Sequence, residues 1–246
     1  MSEPFQFTKS KVDDHTVRVG VDVRPVIEPK LDRVKLHEVG NKLVEEYPNL
    51  YESLVQSPTE FRITKKFLFP GKGEAELPTL VITQRGPVFV FPRKIAVLQD
   101  EVDLNNINDV VVNCLRIFRE QFPERAFIRV GLINEYVYDT GPVDSVRLIS
   151  ERFTRIVVPD NGEIRLRINK PTDDYNRIVE LQALRKLERV PEISDRFQTQ
   201  GFGVSVHVDF NNRDTSSPVT DDKILRVLYD GQQYNEKELY QFLNLE

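Results

Sequence analysis

His207 and Asp209, two residues apart in GVSVHVDF, are the pair whose side-chain types speak most directly of chemistry. On a strand they leave the same face about 7 Å apart. An imidazole oriented by a carboxylate could serve as a general base, or both groups could ligate a metal completed by a carboxylate from elsewhere. That set would suit a metal-dependent enzyme acting on nucleic acid or nucleotide. The same letters also fit the outer face of a half-buried strand, with Ser205, His207 and Asp209 outside and Val206 and Val208 inside.

Arginine supplies the second constellation. From Arg147 to Lys170 there are six basic residues against three acidic ones. FTRIVVPDNGEIRLRIN reads as a hairpin closed by a three-residue loop at Asp160-Asn161-Gly162. In that register Arg155 falls opposite Arg167, and Arg165 opposite Val157. Like charges across a ladder cost from a few tenths to about 1 kcal/mol. Arg155, Arg165 and Arg167 are therefore expected to meet an anion: an internal acid, an acidic protein surface or a nucleic-acid backbone. No aromatic residues interleave with them, which argues against binding single strands by base stacking.

Other candidates are weaker. Cys114 lies on the apolar stripe of a helical pattern, where a thiolate is disfavoured. Carboxylates cluster at Asp100/Glu101/Asp103, Asp139/Asp144, Asp173/Asp174 and Asp221/Asp222, each at a turn or helix start, where acids cap free amides. PGKGEAELP has glycine and lysine but no phosphate-loop spacing, and no nucleophile elbow is present. The residues imply no cofactor.

The elements that must position these groups follow from periodicity. TVRVGVDVR alternates as a half-buried strand, and KLDRVKLHEVGNKLVEEYP is helical up to Pro48. Residues 58–98 read as strands and turns, with GKGEAELP as a loop. DLNNINDVVVNCLRIFREQF is a strongly amphipathic helix, and VDSVRLISERF a short one. DDYNRIVELQALRKLERVP is rich in strong helix formers and is expected to be a helix capped by Asp173 or Asp174. TDDKILRVLYDG is expected to be a helix ending at Gly231, followed by a separate helix, NEKELYQFL, with an Asn235/Glu238 capping box.

RVGLINEYVYDTG is β-prone with a polar pair at its centre. Parity places Ile128, Val130, Leu132, Asn134, Tyr136 and Tyr138 on one side. Phe127, Arg129, Gly131, Ile133, Glu135 and Val137 fall on the other. Asn134 and Glu135 thus face opposite ways. Asn134, polar on an apolar face, is expected to be a structural amide bonded to a neighbouring strand or loop.

Hairpins outnumber regular βα alternation, so the expected class is α+β: mostly antiparallel sheets packed against four to five helices. The pattern allows two intimately packed subdomains, residues 1–140 and 141–246, or one continuous domain. A chain of 246 residues with 39% apolar and 30% charged residues supports a large core. Its single cysteine leaves no internal disulfide, and no apolar run reaches the roughly 18 residues of a membrane span. MSEPFQFTKSK has no apolar signal core. The expected setting is cytoplasmic, with no membrane association. The net charge of −5 excludes a wholesale nucleic-acid coat but not a local basic face.

Several stretches together resemble a family. LVEEYP ending a helix, VFVFPRKIAVL, a long helix and RVGLINEYV are similar to a sporadically distributed family of prokaryotic proteins. Its hallmark is an Arg-x-Gly-Leu strand running into Ile-Asn. VSVHVDF followed by ILRVLYDGQQYNEKELYQFL resembles that family's closing strand and helices. The family has no established activity, so the resemblance implies a stand-alone accessory protein and transfers no catalytic residue. The resulting expectation is a non-catalytic binding or assembly protein, recognising a protein partner or forming a homo-oligomer. A metal-dependent enzyme using His207 and Asp209, and a nucleic-acid binder using Arg155, Arg165 and Arg167, are the alternatives.

Overall fold

A computed structural model describes residues 5–23, 32–57, 59–69, 73–92, 107–159, 162–189 and 197–245. Nine strands form one antiparallel sheet, in the order β2-β3-β4-β5-β1-β6-β9-β8-β7. They are β1 (Val12–Val23), β2 (Ser53–Gln56), β3 (Glu60–Phe69), β4 (Gly73–Thr83), β5 (Gly86–Pro92), β6 (Phe127–Gly141), β7 (Arg165–Asn169), β8 (Tyr175–Arg189) and β9 (Phe197–Asn212). Four helices accompany them among the described residues. They are α1 (Arg33–Glu46), α2 (Ile107–Gln121), α3 (Ser145–Phe153) and α4, which runs from Asp221–Gln233 through one π turn, Tyr234–Glu238, into Leu239–Asn244. The class is α+β. The sheet passes residue 140 without a break, because β6 pairs with β1 on one side and β9 on the other.

Strand parity builds the core. Val17, Val19 and Val21 of β1, Val130 and Leu132 of β6, Val204, Val206 and Val208 of β9, and Val179 and Leu181 of β8 are all at most 3% exposed. Phe61, Ile63, Leu80, Ile82, Phe89 and Phe91 continue that face toward β3. The helices seal it. Val111, Cys114, Leu115 and Phe118 of α2 and Ile224, Val227 and Leu228 of α4 join the same cluster. Asp32, Asp144 and Thr220 cap α1, α3 and α4 by accepting from first-turn amides.

Several local expectations are corrected. Tyr175–Arg189 is a strand, not a helix. Val179, Leu181 and Ala183 point inward while Glu180 and Gln182 point outward, and partners on both sides outweigh the helix propensity of Glu, Leu, Gln and Lys. Asp173 and Asp174 sit in the tight turn before it, where Thr172 N donates to Tyr175 O at 2.8 Å. Thr154–Pro159 does not pair with β7, so Arg155 does not face Arg167; β7 pairs with β8 instead. Asp160 and Asn161 of the expected loop, KIAVLQ and the acids Asp100, Glu101 and Asp103 lie outside the described residues.

Further, residues 73–78, expected as loop, belong to β4 together with the expected strand at 79–83, and Gly231 does not end its helix. A Cβ there would lie 3.0 Å from Leu132 Cδ2 and 3.1 Å from Phe210 Cδ1, so the glycine serves close helix–sheet contact. Asn235, expected to start a new helix, is buried and donates back to Gly231 O at 2.7 Å.

A bulge in β6 reassigns one more residue. The register jumps from Asp22↔Arg129 to Val23↔Phe127, leaving Ile128 unopposed. Phe127 thereby turns into the core, 1% exposed, and stacks on Phe118. Parity alone had placed it beside Arg129. Asn212, fully buried, fills the gap. Its amide accepts from Val130 N at 2.7 Å and donates to Ile128 O at 3.1 Å and to Asp214 O.

Candidate functional site

The second face of the sheet carries no helix among the described residues, and its side chains are half-exposed. Cross-strand register aligns them in rows. One row runs Thr16, Glu135, His207, Glu180, Arg167 across β1, β6, β9, β8 and β7. The next runs Arg18, Ile133, Asp209, Ile178, Asn169. A third runs Gly20, Gly131, Asn211, Asn176.

Ion pairs and amide bonds link side chains of this face into three polar chains. In the first, Arg18 Nη2 pairs with Glu135 Oε2 at 2.9 Å, and Glu135 Oε1 lies 3.2 Å from His207 Nδ1. In the second, Arg129 bridges Asp22 at 3.2 Å and Asp209 at 2.9 Å. Asn211 then donates to Asp209 at 2.9 Å and accepts from Asn176 at 3.1 Å. In the third, Lys186 reaches Asp13 at 3.1 Å and Asp139 at 2.8 Å. It spans β9 where Gly201 and Gly203 stand in register, so no side chain blocks the path. The Lys186 ammonium and the Gly141 N–H hold the Asp139 carboxyl below its ordinary range, and the two carboxylates raise Lys186 in turn.

The residues singled out from the sequence distribute as follows. His207 and Asp209 do share this face, but each is turned to a different neighbour: His207 to Glu135, Asp209 to Arg129 and Asn211. No group of three or more His, Cys, Asp or Glu side chains among the described residues is placed to hold a metal ion. Arg165 and Arg167 stand on the same face of β7. Arg165 is paired with Glu180 at 2.5 Å. Arg155 is exposed in Thr154–Pro159, away from that ladder. Asn134 lies on the opposite face, 5% exposed, and hydrogen-bonds with His15 Nε2 at 2.9 Å. His15 itself stacks on Tyr136, ring centroids 4.2 Å apart. Cys114 is buried, and that burial pushes its thiol well above the ordinary range.

Sequence reasoning missed how the polar chains cross from strand to strand, because register is set by tertiary pairing. The one available signal was parity itself: the charged or polar letters Arg18 and Asp22 of β1, Arg129, Glu135 and Asp139 of β6, and Ser205, His207, Asp209 and Asn211 of β9 stand at even spacings along each strand.

At the centre of the face Gly20 and Gly131 are direct neighbours. A Cβ on Gly20 would meet nothing within 4 Å, whereas one on Gly131 would lie 3.2 Å from Asp209 Oδ1, so the open space lies over Gly20. Arg18, Asp22, Arg129 and Asp209 rim it. Such a surface offers donors, acceptors and both charge signs without convergence on one reacting atom. Among the described residues, no helix is long and apolar enough to cross a membrane. No family model, curated protein or solved structure matches this chain.

Proposed function

We propose that this chain is a non-catalytic binding protein that recognises a protein partner on the helix-free face of its sheet. The observation that supports this reading most is the contrast between the two faces. Among the described residues one is sealed under four helices, while the other leaves Arg18 and Asp22 with 44% of their side chains exposed beside the open position at Gly20. A large antiparallel sheet needs only one packed face to fold. The polar chains on the other face hold its side chains in fixed positions, which lowers the ordering cost of docking.

Gly20→Tyr is the test. The new ring enters open space and leaves the fold intact, yet stands in the middle of the docking face. A protein retained by the wild-type chain and lost by Gly20→Tyr, or an oligomer by light scattering that the variant dissolves, supports the reading. A monomer at high concentration that retains no partner contradicts it. So does a turnover activity lost on His207→Ala.

A further inference from the structure

We infer that the outer edge of β7 takes up an extended acidic peptide segment as an additional strand. This rests on the binding reading above and places a second contact at a different part of the sheet. Ile164 O accepts from Ala183 N at 3.2 Å and Lys170 N donates to Arg177 O at 2.8 Å. With Leu166 opposite Leu181 and Ile168 opposite Val179, the even residues of β7 bond to β8. Antiparallel alternation therefore turns the N–H and C=O groups of Arg165, Arg167 and Asn169 outward. No described strand lies beyond them.

The side chains select the occupant. Arg165, Arg167 and Asn169 project on the helix-free face, and all three are exposed. Arg165 already has Glu180, whereas Arg167 has no ion-pair partner among the described residues. On the helix side Ile164 and Leu166 are only partly covered where they meet the core. An incoming strand with acids at alternate positions and apolar residues between them would satisfy both sides: carboxylates beside Arg167, and apolar side chains over Ile164 and Leu166. Main-chain bonds at Arg165, Arg167 and Asn169 supply affinity that does not depend on side-chain identity. A second copy fits poorly, because self-pairing centred on β7 sets Arg167 against Arg167. A nucleic-acid backbone could meet the arginines and accept from the outward N–H groups, but its phosphates carry no donor for the outward carbonyls, whereas a peptide strand does.

The probe is a fluorescein-labelled peptide of about seven residues alternating Glu and Val, matched to a short strand, followed by anisotropy against the full chain. A lysine-for-glutamate version and a version N-methylated at alternate residues serve as controls. The acidic peptide binds, its affinity falls as salt rises, and neither control binds. Arg167→Glu weakens binding by roughly ten-fold or more, while Arg167→Lys retains most of it. Equal binding of the acidic and lysine peptides overturns the inference. So does binding of the N-methylated peptide, displacement by an oligonucleotide in an Arg167-dependent way, or no binding at all. If the peptide fails while a partner is still retained by wild type and lost by Gly20→Tyr, only the edge inference falls. If that partner is also missing, both fall.

Discussion

Asn212→Ala should be among the most damaging substitutions of an uncharged residue in this protein. Asn212 is fully buried and completes the β6 bulge, taking the Val130 N–H at 2.7 Å and covering the Ile128 and Asp214 carbonyls. Alanine leaves the Val130 amide without an acceptor in a fully buried setting, which costs about 1–3 kcal/mol. Two carbonyls losing their donor and the vacated volume bring the expected total to about 3–4 kcal/mol. That is a large share of the roughly 5–15 kcal/mol typical of a folded domain.

Urea unfolding followed by circular dichroism, at unchanged denaturant slope, reads this loss directly. Asn212→Asp separates the hydrogen bonds from the volume. Its carboxylate can still accept from Val130 N–H but faces two carbonyl oxygens, so the folded state favours the protonated acid and its pKa rises. Stability is then best below the unfolded value near 4 and is lost as pH climbs through the raised folded value. An alanine variant within about 1 kcal/mol of wild type would refute this account of the bulge. So would an aspartate variant equally stable at acid and neutral pH.

Four further outcomes follow from the geometry. Gly20→Thr, placed where a Cβ meets nothing within 4 Å, should raise stability by about 0.5–1 kcal/mol, readable as a higher urea midpoint. Cys114 should stay inert to thiol reagents in the native state and react at the rate of unfolding, checked by a colorimetric thiol titration with and without urea. Burial raises Tyr51, Tyr138 and Tyr234, while burial and the 2.6 Å bond to Asp230 push Tyr175 up to about 12. Their stabilisation is therefore complete below the unfolded phenol value near 10 and is lost as pH rises above it, so phenolate absorbance should grow together with loss of native structure. Lys186→Ala removes an exposed bridge to Asp13 and Asp139 and should cost under about 1 kcal/mol, less still at high salt.

What could be read from the sequence divides along physical lines. β1 and β9 declared themselves because apolar and polar residues alternate with period two, and α2 because its apolar stripe repeats at helical spacing. β8 concealed itself. Its composition favours a helix, and only pairing with β7 and β9 makes a strand of it. The same misreading misplaced the arginines, since β7 was given to Thr154–Val158 as its partner and belongs to β8. The side of Phe127 was hidden by one unopposed residue, and a bulge has no signature in alternation until its partner register is known. Of the site, the shared face of His207 and Asp209 was legible from spacing. The neighbours that engage them, Glu135 and Arg129, come from β6 and are set by register alone.

Site-specific photocrosslinking tests most directly whether the helix-free face is where a partner docks. A photoreactive residue at Ser205, among the polar chains of that face, is compared with one at Tyr229, which is 59% exposed on the outer side of α4. The binding account predicts a discrete crosslinked species from Ser205, abolished by Gly20→Tyr in the same chain, and none from Tyr229. Crosslinks from Tyr229 with none from Ser205 would contradict it.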